Sequence, residues 1–170
     1  MEKLINGFIT NLGKYNEGCL IGEWISFPIN EDNLLEVLER IGINEKYEEY
    51  FFTDWENNIE GLSWETFGEY ANIKKVNELA EQLEELDKTD LEKVSAIMEV
   101  DGNDLINAIE TMDDYNYYPD ASLIDVAYEL IEECYELPEI AQRYFDYKAF
   151  ARDLSFDGYT ETKNGVLQLC

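Results

Sequence analysis

The stretch Ala121–Glu136, ASLIDVAYELIEECYE, has helical periodicity and contains no basic residue. At about 100° per residue, Leu123, Ile124, Ala127, Leu130, Ile131 and Cys134 share one face, and Asp125, Glu129, Glu132, Glu133 and Glu136 occupy the other. One side demands a core, and the other is almost pure carboxylate. Like charges four apart on a helix cost a few tenths of a kcal/mol each, and interspersed Lys or Arg would turn that repulsion into pairing. The face is therefore either simply solvated or reserved for a cationic partner.

The imbalance is not local. Residues 1–61 carry 13 acids and 4 bases, 62–103 carry 11 and 4, and 104–170 carry 15 and 4, giving −9, −7 and −11 within a total of −27. A field of that sign repels nucleic acid and anionic membrane surfaces, so a partner should be basic. At 170 residues with 45% hydrophobic content, the chain can bury a core. The start lacks the apolar core of a signal peptide and no long apolar run follows, so a cytoplasmic, membrane-free protein is expected. Histidine is absent, which removes the commonest general base and His-containing zinc sites. Cys19, Cys134 and Cys170 show no paired spacing, and the helical pattern places Cys134 in the core as a buried thiol.

Asn6–Leu12 and Leu20–Phe27 are predicted strands joined by a loop with Gly13, Asn16 and Gly18. Asn30 is a helix cap, Leu34, Leu35, Leu38 and Ile41 form the stripe of that helix, and Gly42 stops it. Glu48–Trp55 follows as a third strand. Past Gly61 the period changes from 2 to 3.6. Asn72–Leu86 puts Ile73, Val76, Leu79, Ala80, Leu83 and Leu86 opposite Glu78, Glu81 and Glu85. Thr89 and Glu92 suggest a capping box, and Leu91, Val94, Ile97 and Met98 a short helix, broken by Gly102 and Asn103. Leu105, Ala108, Ile109 and Met112 outline another helix. Asp113–Pro119 is strand or loop, Asp120 or Ser122 caps the acidic helix, and Pro138 ends it. Asp146–Leu154 is helical, and a hairpin turned by Asn164-Gly165 in type I′ fashion closes the chain. The expected fold is α+β in three small domains: an α+β unit over 1–61, a helical unit over 62–103, and an α+β unit over 104–170.

Paired acids such as Glu132-Glu133 invite a hydrolase reading, but nothing marks a pocket that would hold one carboxyl protonated. Asp101-Gly102-Asn103-Asp104 departs from the calcium-loop pattern and reads better as a helix cap. No catalytic, cofactor-binding or metal-binding residues, and no small-molecule substrate, are expected. Tyr115, Tyr117 and Tyr118 lie in a segment without a clear core pattern and are candidates for self-association, since Tyr combines apolar area with a polar tip. B-DNA carries one charge per ~1.7 Å of axis, so 39 carboxylates match about 20 base pairs.

Asn11–Gly18, NLGKYNEG, then Gly22-Glu23-Trp24, Phe27-Pro28, Tyr47-Glu48-Glu49-Tyr50 before Asp54, and Asp146-Tyr147 with Phe150-Ala151-Arg152-Asp153-Leu154 resemble the ArdA antirestriction family in order along nearly the whole chain. The resemblance implies a cytoplasmic protein of conjugative plasmids or transposons. Such a protein mimics DNA in shape and charge and occupies the DNA-binding groove of type I restriction-modification enzymes. It implies also an elongated chain of three domains, forming a homodimer through the last. The family's acidic C-terminal segment falls on Asp125, Glu129, Glu132, Glu133 and Glu136, expected phosphate stand-ins, with Glu78, Glu81 and Glu85 added by likeness of pattern. The alternative is an acidic adaptor that sequesters basic proteins in general.

Overall fold

Strand β1, Ile5–Asn11, buries Ile5 and Ile9 on alternate positions. It is the centre of an antiparallel sheet between β2, Gly22–Phe27, and β3, Tyr50–Asn57, in the order β2-β1-β3. This is a computed structural model describing residues 3–102 and 104–170. Asn103, expected to help break a helix, lies outside the described residues.

Where the sequence suggested a loop after β1, a short helix forms: α1, Leu12–Asn16. Its cause is Asn11, fully buried at the strand end. The Asn11 side-chain oxygen accepts from the Lys14 backbone N–H at 2.9 Å, and its amide donates to the carbonyls of Ile41 and Gly42 at 3.1 Å each. One buried amide thereby starts α1 and satisfies the end of α2, Glu31–Arg40. Helix α2 begins at the expected cap Asn30 and runs into Gly42, whose φ of 82° is left-handed. Its stripe differs by one residue from expectation: Val37 is buried, whereas Leu35 is 62% exposed.

The aromatic core of this part is Phe27, Phe52 and Trp55, with Phe52 and Trp55 centroids 4.4 Å apart and Phe27 and Trp55 stacked at 5.6 Å. Full burial of Phe27 and Phe52 is worth about 1.5–3 kcal/mol each. Helix α3, Ile73–Glu85, capped by Asn72, adds Val76, Leu79, Ala80 and Leu83. Its Asn77 fastens the β2–α2 connection, donating to the Ile29 carbonyl at 2.8 Å and accepting from the Ile29 N–H at 2.9 Å.

The chain divides into two compact units, Met1–Asp87 and Lys88–Cys170. The helical stretch 62–103 is shared between them: α3 belongs to the first, and α4, Lys88–Asp101, to the second. Thr89 lies inside α4 rather than at a cap.

In the second unit, α5 (Leu105–Thr111) leads into β4 (Tyr115–Pro119), α6 (Leu123–Glu133), α7 (Glu139–Arg143), α8 (Tyr147–Leu154), β5 (Tyr159–Thr162) and β6 (Gly165–Leu169). The antiparallel sheet has the order β4-β6-β5. Val166 and Leu167, neighbours on β6 with side chains on opposite faces, are both buried, so the central strand is covered on both sides. Val166 joins Val126 and Ala127 of α6, Ala151 and Leu154 of α8, and Tyr159. Helix α4, with Val94, Ala96, Ile97 and Met98 buried, also packs on this sheet.

The closing hairpin is confirmed with a shifted turn. Thr162 pairs Gly165, so Lys163-Asn164 are the turn residues, and neither has positive φ. Gly165 answers a different need, because a Cβ there would run into the Tyr118 carbonyl oxygen and the Tyr117 ring. The close approach of β4 to β6, not the turn, requires glycine.

Candidate functional site

Helix α6 starts where Ser122 caps it, with a complete capping box: the Ser122 hydroxyl accepts from the Asp125 N–H, and the Asp125 carboxylate accepts from the Ser122 N–H at 2.8 Å. Glu161 of β5 adds a second carboxylate there, accepting from the Leu123 N–H at 3.1 Å. Both anions sit at the positive end of the helix dipole. Asp125, expected as a phosphate stand-in, is thus also the fastener of its own helix, and the two bonds from Ser122 hold its carboxyl below the ordinary 3.8.

The inward face of α6 is Leu123, Val126, Ala127, Leu130 and Ile131. Ile124, expected inside, lies at the rim and is 39% exposed, and Val126 takes the core position. Cys134, expected as a buried thiol, is exposed, as are Cys19 and Cys170. The helix ends at Glu133, with Cys134 as its C-cap at φ −102°, ψ −19°, its N–H still bonded to the Leu130 carbonyl at 2.9 Å. Pro138 begins α7 as its cap rather than directly terminating α6. Acids without a cation weaken the negative end of a helix, and α6 has no basic residue in its last turn, so the final turn gives way early.

Glu129, Glu132 and Glu133 therefore form the exposed helical face, while Glu136 follows the helix in the connector, also exposed. Among the described residues none of these four has a Lys or Arg within ion-pair distance. Helix α3 differs. Glu78, Glu81 and Glu85 are all exposed, but Glu78 lies 3.9 Å from Lys74, and the neighbouring Glu84 pairs with Lys3 at 2.6 Å. The face of α3 is partly compensated; that of α6 is not.

The three tyrosines of β4 are half-buried and engaged through their hydroxyls. Tyr115 donates to Asp101 at 2.7 Å, which together with burial raises its pKa, and Tyr117 donates to the Asn164 carbonyl at 2.9 Å. Tyr118 reaches Gln168 at 3.3 Å, and burial pushes its hydroxyl up to about 12. A groove beside them is lined by Asn116, Tyr117, Tyr118, Pro119, Ala121 and Glu129.

Two arrangements were not foreseen. Tyr128, on the acidic side of α6, stacks on Tyr147 of α8 with centroids 3.9 Å apart, although it is 46% exposed. Its place among the acids at helical spacing was the available signal. The second explains the NLGKYNEG segment. The Tyr47 ring lies under the Lys14 and Lys46 ammonium groups at 4.3 and 4.7 Å, donates its hydroxyl to Glu17 at 2.9 Å, and leaves no room for a Cβ at Gly13. Contact with Tyr47 raises the Lys14 pKa. Elsewhere on the sheet, Arg40 grips Glu23 through two bonds of 2.9 and 2.7 Å and holds that carboxyl below its ordinary value.

Among the described residues no group of three or more Cys, Asp and Glu side chains could hold a metal ion, and no helix is long and apolar enough to cross a membrane. Asp104, from the calcium-like segment, caps α5 by accepting from the Asn107 N–H at 3.0 Å.

Fold and surface together define a class: an acidic α+β protein of two compact units in which the carboxylate face of α6 has no ion-paired Lys or Arg among the described residues. The chain belongs to the ArdA antirestriction family, since the model described as Antirestriction protein (ArdA) matches residues 7–168. No curated protein matches it. Membership makes it an antirestriction protein, from a family of inhibitors of restriction enzymes rather than of enzymes.

Proposed function

We propose that the protein is a DNA mimic that occupies the DNA-binding groove of a type I restriction-modification enzyme in the cytoplasm, with no chemistry of its own. The observation that carries this is the exposed carboxylate run of α6 and its connector: Glu129, Glu132 and Glu133 on a capped helix and Glu136 just after it, with no Lys or Arg in ion-pair distance among the described residues. Lys and Arg that neutralise DNA phosphates meet these carboxylates instead, with Asp125 at the head of the helix and Glu78, Glu81 and Glu85 as an outlying, partly compensated set. A fold that already holds its charges in place avoids the cost of bending a duplex, about 1–6 kcal/mol for a substantial bend. The active form is a homodimer, with the β4 edge and its Tyr115, Tyr117 and Tyr118 as the contact. A mobile genetic element is the expected source of such a gene.

Competition tests the proposal. Duplex DNA should displace the protein from a purified type I enzyme in proportion to its own affinity, and neutralising Glu129, Glu132, Glu133 and Glu136 together should weaken binding far more than any single change. If one Glu→Gln change abolished binding with the fold intact, a specific contact would replace the charge array. Equal binding to unrelated basic proteins would favour the general adaptor.

A further inference from the structure

The first unit contains an open sheet edge that charge mimicry does not use. The Asn11 N–H bonds the Ile21 carbonyl at 2.9 Å, and the register continues through Ile9↔Glu23, Gly7↔Ile25 and Ile5↔Phe27. Hydrogen-bonded and non-hydrogen-bonded pairs alternate in an antiparallel ladder. Glu23, Ile25 and Phe27 therefore turn their backbone groups toward β1, and Gly22, Trp24 and Ser26 turn theirs outward. Strand β2 is the edge of its sheet, and no other strand among the described residues pairs with it. Natural edges are commonly blunted by Lys or Pro, and GEWISF contains neither.

Beside this edge lies a groove of about 410 Å³. Trp24 and Ser26 of β2 line one side, Glu36, Val37 and Arg40 of α2 the other, with Ile29 at one end. An edge strand with a helix running alongside is the geometry in which proteins add an extended peptide as a further strand: ladder bonds supply affinity, and alternate side chains enter the groove. The charge of the occupant follows from the walls. Lys3, which also lines the groove, is paired with Glu84 at 2.6 Å, and Arg40 is committed to Glu23 at 2.7 Å while lying 3.7 Å from Glu36, so these groups together keep one carboxylate in excess. Glu31, Asp32 and Glu39 add to it along exposed positions of α2. A second copy is disfavoured as occupant of an acidic groove because none of its stretches 1–61, 62–103 and 104–170 is net basic.

We propose that the groove between β2 and α2 binds an extended basic polypeptide segment as a fourth strand, with a lysine or arginine of the segment meeting Glu36. This site uses none of the carboxylates proposed as phosphate stand-ins on α6 and α3, and its failure would leave the antirestriction mechanism untouched.

The test uses the full chain and a synthetic peptide, acetyl-Lys-Val-Lys-Val-Lys-Val-amide, followed by backbone amide NMR. The peptide should move the Gly22, Trp24 and Ser26 amides. The same peptide N-methylated at alternate residues keeps its charge but loses the ladder, and it should bind about tenfold more weakly. Ser26→Pro removes one outward N–H at a position where an edge strand tolerates proline, and it should cost about as much. Glu36→Gln should weaken binding about threefold and flatten its salt dependence. Equal affinity of the methylated peptide overturns the proposal, as do shifts confined to α6 and α3. Concentration-dependent exchange protection of those three amides without peptide would assign the edge to a second copy, which also overturns it. Should Ser26→Pro unfold the protein, the two peptides compared on the unaltered chain decide alone.

Discussion

Asp125 fastens its own helix and is also a proposed phosphate stand-in, and the two duties have separable signatures. Its carboxyl is held below the ordinary 3.8 by Ser122, so this is a depressed acid: its stabilisation is complete above the unfolded-state pKa and disappears as pH falls through the folded one. In urea titrations across pH, Asp125→Asn should therefore be less stable than the parent by a constant margin from pH 7 down to about 5. The margin should close below 3.8. A gap that persists into stronger acid would mean that the capping geometry, not the charge, supplies the stability. Gly165 offers a purely steric prediction. Gly165→Ala drives a methyl into the Tyr118 carbonyl, and overpacking of this kind costs about 1–3 kcal/mol, readable as a lowered denaturation midpoint with an unchanged slope. The Asn164-Gly165 pair had the wording of a type I′ turn, but the sequence does not say which strand passes beside a glycine. That contact joins residues far apart in the chain, and local patterning is blind to it.

Elements were most legible where their signals are local. Asn30 and Ser122 cap the helices expected from them, and Asn72 and Asp146, expected as first helical residues, prove to be caps, because capping is settled within four residues; Thr89, also expected as a cap, lies inside α4. The end of α6 was less legible. Periodicity continued through Cys134 and Glu136, whereas the helix stops at Glu133, since the balance between dipole and acids is an energy difference rather than a pattern. That end carries the next prediction. Glu132 and Glu133 lie in the last turn with no basic residue there, where a negative charge opposes the helix dipole. Glu132→Gln with Glu133→Gln should raise the melting temperature by about 1–3 °C while weakening inhibition of the restriction enzyme. Opposite signs for stability and function mark residues kept for contact; a loss of both would place them in the architecture instead. Helix α4 shows the remaining gap. Its stripe was readable, but not which sheet it would cover: it packs on the C-terminal strands.

At the scale of the molecule, 39 acids are offset by 12 bases, whereas a duplex of about 20 base pairs presents about 40 uncompensated phosphates. The difference matters because DNA affinity is driven by release of condensed counterions, and a site making 6–10 phosphate contacts loses about 10³–10⁵ in affinity between 50 and 200 mM salt. Carboxylates diluted by Lys3, Lys74 and other paired cations condense fewer counterions, so on the proposed mechanism fewer are released when the protein takes the place of DNA. Its binding to the enzyme should weaken with salt, but with a shallower slope of log K against log salt than the enzyme's own DNA. The protein should consequently gain on DNA as ionic strength rises, and inhibition measured at fixed DNA should strengthen between 50 and 200 mM. Neutralising the face of α6 should flatten the slope further, whereas Asp125→Asn, one charge already shared with Ser122, should move it least. Matching or steeper slopes for the protein would mean that the mimic reproduces the counterion atmosphere of a duplex as well as its charges, and the advantage would then have to come from preorganisation alone.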